Sequence, residues 1–190
     1  MGIEDTLNEQ QLRDMVRSLL WQYRLVDAFW FLGVENDYGL STAEDLNARV
    51  WGKVGKLAAK DILHRFSLSE RGLRGFVQAM EYYPWKMLNS FEVEEKDDEV
   101  RIWSAQCPAQ LGRLKHGLGE YACKEMHRQE FEAFAQVIDP RIRVKCLFAP
   151  PDPHPEDMFC SWRLFLCETE EGGSVSDTGR DIKDERKKEC

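Results

Sequence analysis

The stretch 91-FEVEEKDDEVRIWS-104 marks a change from one hydrophobic pattern to another. Apolar and polar residues alternate with period two in residues 91–95 and again in residues 100–104, on either side of the polar turn at 96–98. Alternation of this kind places successive side chains on opposite faces of a strand. The stretch therefore predicts a β-hairpin near the middle of the chain.

Upstream of the hairpin, the apolar residues follow helical spacing. Between residues 9 and 31 they recur at steps of three and four, as one buried face of an amphipathic helix requires, and Gly33 supplies a stop. The residues of this face are Leu12, Met15, Val16, Leu19, Val26, Phe29 and Trp30. The first part of the chain is therefore expected to begin with a helix packed through this face.

Two further helices are predicted from capping signals. Ser41 and Glu44 have the spacing of a capping box, which predicts a second helix ending near Phe66. Residues 67 and 70, again Ser and Glu, repeat that spacing and predict a third helix that Pro84 terminates or follows. Residues 1–86 are thus interpreted as a helical N-terminal region.

Downstream of the hairpin, the pattern predicts one long helix and two more strands. The helix is expected from about Pro108 to Ile138, closed by Asp139 before a proline. Strands at 142–148 and 160–166 follow, joined by a proline-rich loop at 149–157. The fold class is α+β, with N-terminal helices and a β-β-α-β-β antiparallel sheet packed on a long helix over residues 87–168. Residues 169–190 are too polar to order and are read as a mobile charged tail.

Composition excludes several classes of function. The formal net charge of -8 and the pI of about 5.1 oppose binding to nucleic acid or to an anionic membrane. The first residues lack the basic and apolar segments of a signal peptide, so we expect a cytoplasmic protein whose six cysteines are thiols. No CxxC pair is present, and any metal site must be assembled from distant segments.

A candidate site lies in 116-HGLGEYACKEMH-127. On a helical wheel, four titratable side chains fall within a sector of roughly 60°. They are His116, Glu120, Cys123 and His127. This sector becomes apolar towards residue 138, which indicates that the stripe points inward, where a carboxylate or imidazole needs a partner.

That partner is either a ligand or an ordinary neighbour. Glu120 could instead pair with Arg113 or Arg163, and His127 could be a satisfied core histidine. Gly117 and Gly119 would each destabilise a helix interior. They therefore mark either a helix break or a place where a ligand or another backbone comes close. If the helix breaks there, His116 leaves the stripe.

Cys107 is the most suggestive single residue, because it precedes Pro108 at the expected start of the long helix. A thiol at a helix N-terminus is stabilised as thiolate, whereas the alternative is a small buried hydrophobe. Cys123 and Cys160 can approach Cys107 from the helix and the last strand. The three thiols with His127 or Glu120 would suit zinc or iron.

Other titratable residues are given ordinary roles. Cys146 and Cys167 are interpreted as core or incidental thiols, because Cys146 lies between Val144 and Phe148 on its strand face and Cys167 lies on the opposite strand face to Cys160. The loop containing Asp152 and His154 is stiffened by four prolines. It predicts either a lid over a site or a rigid solvated connection.

Several of these features together resemble a known family. They are Cys107-Pro108 ahead of a helix, Glu120 and Cys123 within it, Asp139-Pro140 leading to Cys146, and 160-CSWRL-164 in the last strand. Over about residues 100 to 167, this set is similar to the proteins grouped around L-2-amino-thiazoline-4-carboxylic acid hydrolase. The helical first half is similar to an uncharacterised branch of that group.

The resemblance implies ring-opening C–N hydrolysis of a small sulfur heterocycle. It assigns Cys107 as nucleophile or ligand, Cys123 and Cys160 as ligands or pocket thiols, and Glu120 or His127 as the base. The sequence thus favours a cytosolic small-molecule or metal-binding protein with a cysteine-lined pocket, with a C–N hydrolase as the alternative. A third hypothesis is an interaction protein whose core is rich in cysteine. The expected partner is a small-molecule ligand, with no nucleic acid and no membrane.

Overall fold

A computed structural model of the chain describes residues 2–89 and 91–167. After a short 3₁₀ turn at Ile3–Asp5, six helices and four strands follow in this part of the chain. The helices are α1 (Glu9–Tyr38), α2 (Leu40–Arg65), α3 (Gly72–Met80), α4 (Pro84–Asn89), α5 (Pro108–Lys115) and α6 (Lys124–Ile138). The strands are β1 (Glu92–Glu95), β2 (Glu99–Ser104), β3 (Ile142–Phe148) and β4 (Cys160–Leu166). The predicted α+β class with N-terminal helices is confirmed.

The four strands form one antiparallel sheet in the order β1-β2-β4-β3. The predicted hairpin is its first pair, with Val93 opposite Ile102. On the inner face, Ile102 and Cys146 flank Trp162 from the two neighbouring strands. Period-two alternation was sufficient to predict these strands, because burial of the inner face of the sheet fixes their register.

Helix α6 lies between the sheet and α2. Phe131 packs edge-on against Trp162 of β4, with ring centroids 5.4 Å apart, while the opposite side of α6 faces α2. The helices approach very closely at Gly55 of α2, where an added Cβ would lie 2.6 Å from the carbonyl oxygen of Glu130. Both faces of α6 are therefore committed to packing, and one hydrophobic core joins the helical region to the sheet.

The first helix differs from the expectation in two ways. It continues through Gly33 to Tyr38, and none of its residues is buried. The apolar face predicted to be its packing face is largely exposed, as Trp30 shows with 74% of its surface accessible. Periodicity identifies the apolar side of a helix, but it does not show what covers that side.

The predicted long helix from Pro108 to Ile138 is wrong, because it is two helices separated by residues 116–123. Gly117 and Gly119 have φ angles of 72° and 69°, which other residues rarely adopt. The buried Gln110 fixes the break, since its side chain accepts from the Tyr121 amide (3.2 Å) and donates to the Tyr121 carbonyl (3.0 Å). The glycines therefore mark the helix break that the sequence left open.

The capping signals predicted the second and third helices but not their starts. Helix α2 ends at Arg65, close to the predicted Phe66, but its N-cap is Gly39 and not Ser41. Helix α3 begins after Arg71 and ends at Met80, so Pro84 follows it, and Pro84 also opens a further helix, α4, that was not predicted. The predicted division at residue 86 stays a prediction, and the predicted tail at 169–190 lies outside the described residues.

Within residues 2–89 and 91–167, none of the helices combines the length and apolar character needed to cross a bilayer.

The contact between α2 and α6 can be tested with Gly55→Ala. The new methyl group would meet the Glu130 carbonyl oxygen, so we expect the free energy of unfolding to fall by about 2 kcal/mol. Urea denaturation followed by tryptophan fluorescence measures this. The control is Gly112→Ala in α5, where nothing lies within 4 Å of the added Cβ and a gain of up to about 1 kcal/mol is expected. Equal effects at both positions would contradict the close approach.

Candidate functional site

Three buried thiols meet where α5, α6 and β4 begin. Cys107 is the N-cap residue of α5, Cys123 is the N-cap residue of α6, and Cys160 is the first residue of β4. Each thiol lies near enough to the other two for the ionised forms to repel one another. Cys123 also accepts a hydrogen bond from Gln110 (3.4 Å). The structure thus brings together the three thiols that the sequence singled out.

These groups are protonated thiols at neutral pH. Burial raises the pKa of Cys107, although the amides at the start of α5 act in the opposite direction. Burial also raises the pKa of Cys160 to about 12 and that of Cys123 well above its usual range. Of the two alternatives for Cys107, the small buried hydrophobe is favoured over the thiolate, because desolvation outweighs the helix effect.

Glu120 and His116 are not part of the inward stripe. Residues 116–123 are not helical, so the helical wheel does not apply to them. His116 is the exposed C-cap residue of α5. Glu120 lies near the surface and pairs with Nε2 of His154 in the proline-rich loop at 3.1 Å, not with Arg113 or Arg163. The Pro155 carbonyl and then Glu120 raise the pKa of His154.

His127 is buried on α6 with a carboxylate partner that the sequence analysis missed. Its Nδ1 lies 2.8 Å from Oε2 of Glu130, and Oε1 of Glu130 accepts from the Tyr83 hydroxyl at 2.5 Å. As a carboxylate, Glu130 only accepts hydrogen bonds, so we assign the Nδ1 hydrogen to His127. The ring of His127 stacks on Phe131 with centroids 5.4 Å apart. His127 is thus a core residue whose ring is both packed on an aromatic neighbour and hydrogen-bonded to a carboxylate.

A small cavity lies beside this network, between α1, α2 and α6. Its volume is about 20 Å³, room for one group the size of water. Its walls include Asp27, Trp51, Trp85, Cys107, His127 and Glu130. The rings of Trp51 and Trp85 meet edge to face with centroids 5.2 Å apart, and Tyr23 packs against both. Of the predicted site residues, only Cys107 and His127 line this cavity.

The electrostatics of the cavity are negative. Asp27 is half-buried, and this partial burial first, and then the charge of Glu130, raise its pKa to about 6, while the Trp51 indole and His127 lower it. Burial and the same two carboxylates raise the pKa of Tyr23 to about 12. Among the described residues that line the cavity, none is lysine or arginine. The nearby Arg113 is already bound to Glu35 of α1 through two hydrogen bonds of 2.5 and 3.0 Å.

The predicted metal ligands do not assemble into a metal site. In the described part of the chain, no three side chains among His, Cys, Asp and Glu have an arrangement that could hold a metal ion. This covers Cys107, Cys123, His127 and Cys160, which were expected to bind zinc or iron. The imidazole of His127 is turned to Glu130 instead. Four cysteines, including Cys146, are free thiols, whereas Cys167 is disulfide-bonded, so the expectation of six thiols is wrong for Cys167.

Two signals in the sequence could have identified the missed residues. Asp27 is the single charge within the apolar run from Leu25 to Val34. Glu130 follows His127 by three residues, a spacing that puts both on one face of a helix. Nothing in the sequence indicated Trp85 or Tyr83, because their contribution depends on how the turn before α4 folds.

Comparison with known proteins identifies the family. A family model described as "Family of unknown function (DUF6125)" matches residues 5–166. The chain belongs to that family. No curated protein matches the chain.

One similar solved structure is a trafficking protein particle complex subunit 3 from Naegleria fowleri, covalently bound to palmitic acid. It is 12% identical, with a TM-score of 0.48 over 82% of this chain and 97% of that one. The resemblance to the aminothiazoline-carboxylate hydrolase group is therefore wrong, because the matching family is a different one. The motifs that suggested it were short, and the long helix on which they were placed does not exist.

The thiol chemistry predicts slow alkylation. Because Cys107, Cys123 and Cys160 are buried and their pKa values are raised, we expect each to react with iodoacetamide at pH 7.5 at least about 10-fold more slowly in the native protein than in urea. Peptide mass spectrometry after timed quenching measures the rate at each residue. Rapid native alkylation of Cys107 would show that its thiolate is stabilised after all.

The raised pKa of Asp27 predicts a pH-dependent cost in stability. The folded protein holds this proton up to about pH 6 and the unfolded chain only to about pH 4, so stability is lost as the pH rises between these values. We expect Asp27→Asn to raise the free energy of unfolding by about 2 kcal/mol at pH 8 and not at pH 4. Urea denaturation across this range measures the difference. The same difference at both pH values would show that ionisation is not its cause.

Proposed function

We propose that the protein binds a small molecule through a primary ammonium group placed between Asp27 and Glu130. The observation that carries the proposal is the pair of carboxylates on the wall of one cavity, where partial burial and then the charge of Glu130 raise the pKa of Asp27. A cation bound there would offset both effects and stabilise the ionised form of Asp27. This gives the expected small-molecule ligand a chemical class.

The walls of the cavity support a cationic ligand. Trp51 and Trp85 line the cavity together with the carboxylates, and an indole ring attracts a cation that lies over its face. The volume of about 20 Å³ fits an ammonium group and is too small for a quaternary amine or for a heterocyclic ring. The body of the ligand would therefore remain outside the cavity.

The cysteine-lined pocket of the sequence prediction takes a narrower form in this proposal. Cys107 contributes a neutral thiol to the wall, while Cys123 and Cys160 lie behind it in the core. The hydrolase alternative stays a prediction, and the raised pKa of Cys107 does not favour a nucleophilic role. A cytoplasmic location also remains part of the proposal.

The ligand class can be tested with methylammonium and, as a neutral analogue of similar size, methanol. NMR titration of the indole N–H signals of Trp51 and Trp85 should show saturable, millimolar binding of methylammonium chloride at pH 7.5, and none of methanol at constant ionic strength. Binding should weaken about 10-fold by pH 5, as Asp27 becomes protonated.

The matched variants are Asp27→Asn and Asp37→Asn on the same helix, where Asp37 is exposed. We expect the first to weaken methylammonium binding at least about 10-fold and the second to leave it unchanged. Equal shifts with methanol, or full binding by Asp27→Asn, would overturn the proposed ligand class.

A further inference from the structure

The outer face of α1 carries apolar side chains that the rest of the described chain does not cover. We call it the outer stripe, and its members are Leu12, Met15, Val16, Leu19, Val26, Phe29 and Trp30. Val26 and Phe29 are each 68% exposed, and Trp30 is 74% exposed. On a helical wheel the stripe spans roughly 140°, and no charged residue between 12 and 33 falls within it. This is the reverse of a usual surface helix, whose apolar side faces the core.

The size of the stripe makes it an interaction surface. Its exposed side chains present on the order of 600 Å² of apolar area, at the upper end of what single-chain soluble proteins leave uncovered. Two such surfaces in contact would bury on the order of 1,200 Å², the lower bound for specific interfaces between proteins.

The composition of the chain narrows the choice of occupant. The segment 168–190 has only Val175 and Ile182 as aliphatic residues, too few to cover the stripe. The net charge of -8 opposes an anionic lipid surface. We propose that the outer stripe is the interface of a homodimer, in which the α1 helices of two copies pair antiparallel about a twofold axis near Gln22. This interface borders the ligand cavity, because Tyr23, which packs against Trp51 and Trp85, lies within the same sector of α1.

Gln22 gives the proposed pairing its centre. It is exposed within the stripe, midway between Leu12 and Gly33, and its side-chain amide donates to the Ser18 hydroxyl one turn away. A carboxamide has both a donor and an acceptor, so two copies of it can pair across a twofold axis. A single polar group in an apolar helix interface commonly fixes register in this way.

Side-chain size favours the antiparallel direction. With Gln22 opposite its copy, residues whose numbers sum to 44 lie at the same level, so the bulky Phe29 of one helix faces the smaller Met15 of the other. Gly33, which has nothing within 4 Å of an added Cβ, then lies at the level of Gln11 and leaves room for the neighbouring Leu12. A parallel pair would instead place Trp30 against its copy and leave a gap at Gly33.

Analytical ultracentrifugation of the full chain tests the dimer. We expect a mass twice that of the 22.2 kDa monomer, and Val26→Glu should raise the dissociation constant at least about 100-fold, because a charge would be buried in the interface. The control is Leu147→Glu on β3, an exposed leucine away from α1, which should leave the dimer intact. A monomer at all concentrations, or a dimer that Val26→Glu leaves unchanged, would overturn the proposal.

Cross-linking tests the register. Under mild oxidation, Gln22→Cys should form a covalent dimer through residue 22, whereas Asp14→Cys, exposed outside the stripe, should not. Both changes are at exposed positions, so the fold should be kept, which circular dichroism verifies. Cross-linking through residue 14 and not 22 would contradict the arrangement. A monomer that binds phosphatidylcholine vesicles through α1 would show that lipid is the occupant instead.

Discussion

The close contact between α2 and α6 is the constraint on which the rest of the structure depends. Because Gly55 allows the helix backbones to approach, α6 is enclosed between α2 and the sheet. Because α6 is enclosed, His127 and Glu130 are buried, and buried polar groups need hydrogen-bond partners. Glu130 supplies that partner for His127 and accepts a second hydrogen bond from Tyr83. The same packing places Trp51 of α2 beside Glu130 on the cavity wall. The close helix packing that Gly55 allows therefore also positions the polar groups of the site.

The sheet and the three longer N-terminal helices could be predicted, because hydrophobic period is a local property of the sequence. The hairpin around Asp97 and the strand carrying Trp162 have a clear alternation, and the structure keeps their register. The site could be predicted only in part. Cys107 and His127 were found by residue type, whereas Asp27 and Trp85 gain their meaning from segments far apart in sequence. The wheel that included Glu120 failed because two glycines interrupt the helix.

Electrostatics and stability act against each other in the cavity. The two carboxylates of Asp27 and Glu130 repel each other when both are ionised. A neutral residue at either position would remove this repulsion. A fold that keeps such a pair next to aromatic rings and protonated thiols stores unfavourable free energy at one place. Stored strain of this kind is typical of functional sites. The thiols differ in this respect, since burial holds them neutral and makes them part of the core.

Helix α1 supplies one wall of the cavity and is held loosely, since none of its residues is fully buried. Its firmest tie in the described chain is the pair between Glu35 and Arg113 near its C-terminal end. The free energy for opening α1 should therefore be well below that for global unfolding, and amide hydrogen exchange would be fastest towards its N-terminal turns. A ligand held by Asp27 would slow that exchange, and so would a second copy on the outer face. Binding of a ligand at Asp27 and pairing with a second copy would then favour each other, because both order the same helix.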